Sequence, residues 1–354
     1  MKIGLIIYGS LDTMSGGYLY DRKLVEYLRG QGDTVEIISL PWRNYFSHLT
    51  DNFHFRLPRG FDVLIEDELN HPSLLTANLQ SHLYPVVSLV HNLRSSEKRP
   101  GWQNVFYRTI ERRYLKTVDG FIFNSTATRG AVLSLIGDNK PYSIATPGGD
   151  RLGTLTPERV RARAAELGPL RLLFLANVIP LKGLHILLEA VSFQRLAVNV
   201  DVVGSMTVDS KYANEMKKLV IVHGLSSIVR FHGILDGDGL VEKLHQAQVL
   251  VIPSFYEGFG ISFLEGMAFG LPAIGITAGA IPQLITDGEN GFLIKPGDSE
   301  TLAKHLQELA SDRELLTRLS LNARQRFDEF PTWEQSAKSI RGFLLKMTAS
   351  NKKN

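Results

Sequence analysis

Two glutamates, Glu257 and Glu265, stand eight positions apart in "YEGFGISFLEGMAFGLP", with Gly258, Gly260 and Gly266 beside and between them. An ionised carboxylate only accepts hydrogen bonds and can hold two hydroxyl donors at once, so acids of this kind suit polyols and repel phosphate. Glycines in the same stretch let the backbone turn tightly and come close to a ligand. The apolar run "QVLVIPS" precedes them and predicts a strand, and the pattern from Ile261 predicts a helix. The start of a helix offers unpaired N–H groups and the positive end of a dipole, a natural seat for a phosphate or diphosphate. A loop plus one helical turn separates the two carboxylates by roughly 10 Å, at ~1.5 Å rise per helical residue. The stretch therefore suits a ligand with hydroxyls at both ends and a charged centre. The plainer alternative is one glutamate near a helix cap and one solvated helix residue.

A second cluster lies in "LFLANVIPLKGLHILLEA", where Lys182 and Gly183 follow an apolar run and open a helix. A lysine there can neutralise charge developing on a leaving phosphate, although surface lysines are common at helix starts. His91 closes the run "VSLVH" and is expected at a strand end; a hydrogen-bonded structural histidine is its alternative. The other histidines show no metal-ligand spacing. Asp236 and Asp238, in "LDGDGL", read as a turn before a helix.

Elements that must position these residues are plain in the pattern. Short apolar runs alternate with amphipathic ones from "KIGLIIY" onward, as parallel sheets require, because parallel strands need a crossover helix. The chain, at 354 residues, exceeds the usual size of one core. The expected fold is α/β, two doubly wound Rossmann-like domains facing each other across a cleft, spanning 1–150 and 151–332, with a helix near 333–350 returning to the first. The Gly-, Pro- and Arg-rich stretch at 147–170 is read as the join. Open α/β sheets bind ligands beyond the carboxyl ends of their strands, and the unusual motifs fall in those loops.

Composition narrows the classes further. With 39 basic and 36 acidic residues the net charge is +3, which excludes a strongly polyanion-seeking protein, such as one devoted to nucleic acid, but allows local basic patches. No cysteine is present, so disulfides, thiolate catalysis and cysteine-based zinc sites are excluded. The first residues read as a strand and loop rather than a signal peptide, and no apolar run approaches ~18 residues. A cytoplasmic location is expected. Residues 94–116 carry seven basic and two acidic residues with Trp102, Phe106, Tyr107 and Ile110 interleaved. Arg94, Lys98, Arg99, Arg112 and Arg113 form a candidate patch for an acceptor or for peripheral contact with an anionic inner membrane face. An ordinary helix covering the first sheet is the alternative.

Together these motifs resemble glycosyltransferase family 4, retaining glycosyltransferases of the GT-B fold. "YEGFGISFLEGMAFGLP" looks like that family's E-x7-E signature, "ITAGAIPQLITDGENGFLIKPGD" like the segment that follows it, and "TPGGD" like its hinge. The resemblance implies an enzyme that moves a hexosyl unit from a UDP- or GDP-sugar to a hydroxyl of a saccharide, lipid or small molecule, with no cofactor and no metal. It implies that Glu257 contacts the donor sugar, that N–H groups near Gly258, Phe259, Gly260 and Ile261 hold the diphosphate, and that Glu265 holds the ribose. Lys182 would sit on the phosphates. Gly16 and Gly17, in "MSGGYLYDRKLVEYL", match a glycine loop that approaches the donor, and His91 a histidine near the transferred sugar. One departure is Asn177, which stands where the family usually has arginine and brings an amide without charge. A non-catalytic sugar-nucleotide binder or an epimerase is the rival reading. A dehydrogenase fits poorly, because neither "GSLDTMSGG" nor "GFGISF" completes the dinucleotide fingerprint.

Overall fold

The central strands grow from apolar runs whose two faces are both covered. In β1 (Lys2–Tyr8) every residue after Lys2 is buried, and β3 (Val63–Asp67), β4 (Val86–Val90) and β5 (Gly120–Phe123) are buried throughout. Continuous burial of this kind marks a parallel sheet with helices on both faces. The computed structural model describes residues 1–97, 101–137, 140–193 and 197–351. They form two compact units, 1–147 with 331–351 and 148–330.

The first unit continues with α1 (Gly16–Gly30), β2 (Thr34–Leu40), α2 (Tyr45–Leu49), α3 (His71–Leu74), α4 (Gly101–Leu115), α5 (Thr126–Ile136) and β6 (Tyr142–Ile144). Its six strands are parallel in the order β2-β1-β3-β4-β5-β6. The order reverses direction at β1, so the loops after β1 and β3 part there and leave a crevice at the carboxyl edge. Ser15 caps α1 by accepting from the Tyr18 N–H.

The second unit runs α6 (Pro157–Ala165), β7 (Leu170–Leu175), α7 (Leu184–Phe193), β8 (Val198–Val203), α8 (Ser210–Val222), β9 (Val229–Gly233), α9 (Gly237–Gln246), β10 (Val249–Val251), α10 (Ile261–Ala268), β11 (Ala273–Ile276), α11 (Ile281–Leu284), β12 (Gly291–Ile294), α12 (Ser299–Ser311) and α13 (Arg313–Phe327). The strands are again parallel, in the order β12-β11-β10-β7-β8-β9. Here the reversal lies between β7 and β10. The last helix, α14 (Trp333–Asn351), belongs to the first unit, where Trp333 meets the Tyr20 ring and Arg341 binds Asp33.

The stretch 147–170 contains a boundary between the two units: from Gly148 on it is part of the second unit, and α6 packs against α13. Its buried positions are Val160, Arg163 and Ala164. That spacing is helical, but an arginine occupies one of three inward places, so the apolar stripe is nearly invisible in the sequence. Among the described residues no helix is long and apolar enough to cross a membrane.

Candidate functional site

At the reversal point of the second unit, loops from neighbouring strands are drawn together by glycines. The turn after β7 ends in Gly183 (φ +72°), where a Cβ would lie 2.1 Å from the Pro253 carbonyl oxygen. Phe255 N–H donates to the Leu181 carbonyl across the same gap at 2.8 Å. After β11, Gly279 (φ +68°) would place a Cβ 2.1 Å from the Glu257 carbonyl oxygen, which instead accepts from Ala280 N–H at 3.0 Å. No other residue type fits these two positions without moving the backbone.

Held this way, Glu257 and Lys182 meet. The Lys182 Nζ donates to both carboxylate oxygens of Glu257, at 2.7 and 2.9 Å. Glu257 is buried and Lys182 keeps about a quarter of its side chain exposed (24%), so the pair sits at a surface a ligand can reach. Gly260 (φ +97°) caps α10, whose first N–H groups, starting at Ile261, follow directly. Phe259 is buried, packed edge-on toward Phe330, so only its backbone is offered to a ligand.

Glu265 lies one turn inside α10 and is buried against Arg151, whose Nε donates to it. Burial raises its carboxyl pKa, and Arg151 opposes that rise. Arg151 was not singled out from the sequence. It comes from a single turn (Asp150–Leu152) seated closely on α10, where a Cβ on Gly149 would lie 2.7 Å from the Leu264 side chain. Asn177, after β7, accepts the Ser205 N–H at 3.2 Å and so ties the β7 and β8 loops together. The Asp236–Asp238 stretch caps and opens α9.

The first unit builds a different centre at its own reversal point. His91 directly follows β4, and its Nε2 donates to Asp21 on α1 at 3.0 Å. Gly17 makes room for it, since a Cβ there would lie 3.3 Å from the imidazole; Gly16 is exposed beside it. Burial works to lower the His91 pKa, but the Asp21, Asp67 and Glu68 carboxylates outweigh it and raise it to about 9. Asp67 is pushed up to about 7 by burial and by Asp21. Glu68 is raised well above the ordinary range, mainly by burial.

Next to these lie His71 and Glu111. Burial holds His71 down to about 4 and lifts Glu111 to about 7. The sequence reading missed Asp21, Asp67, Glu68, His71 and Glu111. Signals did exist: Asp21 interrupts the buried stripe of α1, and three consecutive acids end the apolar run of β3.

Two trios, Asp21–Asp67–His91 and Glu68–His71–Glu111, gather metal-ligand types with their donor atoms within 4.8 Å of one another. The second trio fits a metal poorly. His71 Nδ1 donates to the Glu68 carbonyl and Nε2 accepts from the Tyr45 hydroxyl, both at 2.9 Å, so neither ring nitrogen has a lone pair to spare.

The candidate basic patch divides. Arg94 is not part of a surface patch: its guanidinium stacks over Tyr45 and Tyr107, at 5.0 and 4.7 Å, beside the buried acids. Arg112 and Arg113 are exposed on the outer face of α4 with Trp102 and Val105, whereas Tyr107 and Ile110 face inward. Lys98 and Arg99 lie outside the described residues.

Residues 157–326 match the family described as glycosyl transferases group 1. The MMP alpha-(1->4)-mannosyltransferase of Mycolicibacterium hassiacum is 28% identical over 291 residues, 78% of this chain and 68% of that protein. The D-inositol 3-phosphate glycosyltransferase of Streptomyces griseus is 32% identical over 173 residues, 47% of this chain and 36% of that one. Of several further relatives the chain likewise spans only about half. Among solved structures, the sucrose-phosphate synthase from Thermosynechococcus elongatus matches with a TM-score of 0.84 at 20% identity, over 99% of both chains. Anabaena Alr3699/HepE in complex with UDP and glucose matches with a TM-score of 0.75 at 19% identity, over 97% of this chain and 99% of that one. At such identities the structural likeness speaks for the fold.

Proposed function

We propose that this chain is a GT-B glycosyltransferase whose second unit binds a nucleotide-diphosphate sugar and transfers the hexosyl group with retention, a reading supported by the match of residues 157–326 to the glycosyl transferases group 1 and by the fold shared with its structural neighbours. The observation that carries this is the Lys182–Glu257 pair at the sheet's reversal point, one glycine-shaped turn before the start of α10. Cation, acceptor carboxylate and free helix N–H groups are the three things a sugar diphosphate needs within one short span.

Binding would divide the pair. The diphosphate takes Lys182 and the N–H groups near Gly260 and Ile261, which frees Glu257 to accept from the sugar hydroxyls. Glu265, already fixed by Arg151, is assigned the ribose hydroxyls. The bond from the anomeric carbon to the diphosphate oxygen then breaks while the acceptor oxygen attacks on the same face. The acceptor's proton passes to the leaving phosphate oxygen. Lys182 and the helix start stabilise the charge that grows there, which is electrostatic catalysis by groups already in place. Asn177, uncharged and occupied with Ser205, adds no cation, so Lys182 carries more of the task.

His91 is assigned to the acceptor side of the reaction. Asp21 fixes its ring and keeps it charged near neutral pH, so it acts as a hydrogen-bond donor rather than as a base. UDP as the base is supported by the UDP complex among the structural neighbours. A saccharide or cyclitol hydroxyl as acceptor is supported by the mannosyltransferase and the inositol-phosphate enzyme among the relatives.

The test is release of free nucleoside diphosphate from UDP- and GDP-hexoses, with and without sugar and inositol-phosphate acceptors. Release that needs an acceptor and disappears in Glu257→Ala supports the reading. A Glu257→Ala protein that transfers sugar at the normal rate contradicts it.

A further inference from the structure

The opposite edge of the second unit carries a cavity that the proposed transfer does not use. It has a volume of about 500 Å³, within the usual size of small-ligand sites. Its walls come from α6, from the amino ends of β7, β8 and β9, and from the end of α9. Lys182 and Glu257 instead follow the carboxyl ends of β7 and β10. The six residues of β7 put roughly 20 Å between the two edges, at ~3.3 Å per residue.

The lining is strongly basic. Arg159, Arg163, Arg171, Arg230 and Lys243 face only two acids, Glu166 and Asp201. Those acids are already engaged: Glu166 pairs with Arg171 at 2.7 Å, and Asp201 with Lys243 at 3.6 Å and with His232. Arg159, Arg163 and Arg230 have no carboxylate partner among the described residues.

Arg163 is the telling one. Only 5% of it is exposed, and its terminal nitrogens cap helix ends by donating to the carbonyls of Leu244, Phe269 and Gly270. Its Nε is buried without a partner. Burial and the neighbouring Arg171 lower its pKa to about 10, and burial, Arg159 and Arg163 lower that of His245. Positive charge has thus been brought together here at a cost to folding, and the two acids of the lining balance only part of it.

We infer that this cavity binds a small soluble polyanion carrying at least two phosphate-type charges, at a site separate from the one that takes the sugar donor. Arg159 and Arg230 are exposed and have no carboxylate partner among the described residues, and the planar fork of an arginine suits phosphate oxygens in a way a lysine does not. A single charge would leave most of the excess unbalanced, whereas a pyrophosphate or bisphosphate fits both the charge and the volume.

Inorganic pyrophosphate serves as the probe, titrated calorimetrically into the full chain. Lys182→Ala serves as background, to weaken binding at the donor site. Expected is one remaining binding event, at least tenfold tighter than that of inorganic phosphate. Adding Arg159→Glu and Arg230→Glu, both at exposed positions, should weaken it at least tenfold more. Arg159→Gln with Arg230→Gln, which removes charge without reversing it, should fall between. Unchanged binding in both double-substituted proteins, equal affinity for phosphate and pyrophosphate, or no binding at all in the Lys182→Ala background would each overturn the inference.

Discussion

Each unit places its polar groups at the reversal point of a parallel sheet, yet the two centres solve opposite electrostatic problems. In the second unit Lys182 and Glu257 neutralise each other at a reachable surface, and the glycines around them set their distance. In the first unit four buried carboxyls, those of Asp21, Asp67, Glu68 and Glu111, share space with His91, His71 and Arg94. There the charge is limited by holding protons, as the raised Asp67, Glu68 and Glu111 values indicate. The same fold position can thus serve as an ion-pair clamp opened by a ligand or as a proton-holding cluster that stiffens one histidine.

The sharpest way to break the contrast is to remove one half of the clamp. Lys182→Ala should lower kcat/KM for transfer by about 10²–10³-fold, the usual loss for one charge-stabilising donor. Glu257→Ala should lose a similar amount. The double variant should lose less than the two combined, because each single change leaves the other charge without its partner. Strict additivity in that cycle would mean the two side chains act independently.

A second prediction concerns the glycines. Gly279→Ala should destabilise the second unit by on the order of 3 kcal/mol, through its positive φ and the Cβ contact with the Glu257 carbonyl. Gly17→Ala should cost the first unit less, about 1 kcal/mol, because the imidazole it meets at 3.3 Å can give. Urea unfolding followed by hydrogen exchange in each unit reads both changes.

The third sharpens the proton argument. His91 holds its proton to about pH 9 when folded and only to ~6.5 when unfolded, so the folded state binds more protons across that window. Its stabilisation is complete below ~6.5 and is lost as pH rises through 9, by on the order of 3 kcal/mol. Asp67 and Glu111, raised to about 7 from ~4, lose stability over the lower window between those values. His71, held to about 4, acts in reverse, since its contribution is lost as pH falls from ~6.5 through 4. Hydrogen-exchange protection in the first unit, taken relative to the intrinsic rate at each pH, should therefore fall from pH 7 to 9, and His91→Gln should flatten that slope.

The smallest expected effect belongs to the outer face of α4. Trp102→Ser should change stability by less than about 0.5 kcal/mol, since the ring is 71% exposed. If this face also meets an anionic membrane, the substitution should lower salt-sensitive binding to anionic liposomes.

The two centres also differ in how far the sequence revealed them. The clamp was readable because Glu257, Gly258, Gly260 and Ile261 fall in one short stretch, and Lys182 sits in its own motif in the loop after β7. Strand alternation likewise exposed the two doubly wound sheets. What could not be read is pairing across the fold. Nothing local links Lys182 to Glu257, 75 residues apart, or Glu265 to Arg151. The acid cluster is scattered over α1, the end of β3, α3, the residue after β4 and α4. Each member alone passes for a surface acid or an ordinary helix residue. Arg94 misled in the opposite direction: a basic run suggested a surface, and its stacking on two tyrosines draws it inward. The Arg159–Arg163 stretch resembled a linker because its one deeply buried arginine disguised a packed helix.

The most direct trial of the donor clamp is a structure of the chain bound to a UDP- or GDP-hexose. The account predicts that Lys182 leaves Glu257 for the diphosphate, that the diphosphate rests on the N–H groups opening α10, and that Glu257 turns to the sugar hydroxyls. A bound donor with the Lys182–Glu257 pair still closed and its diphosphate away from α10 would contradict it.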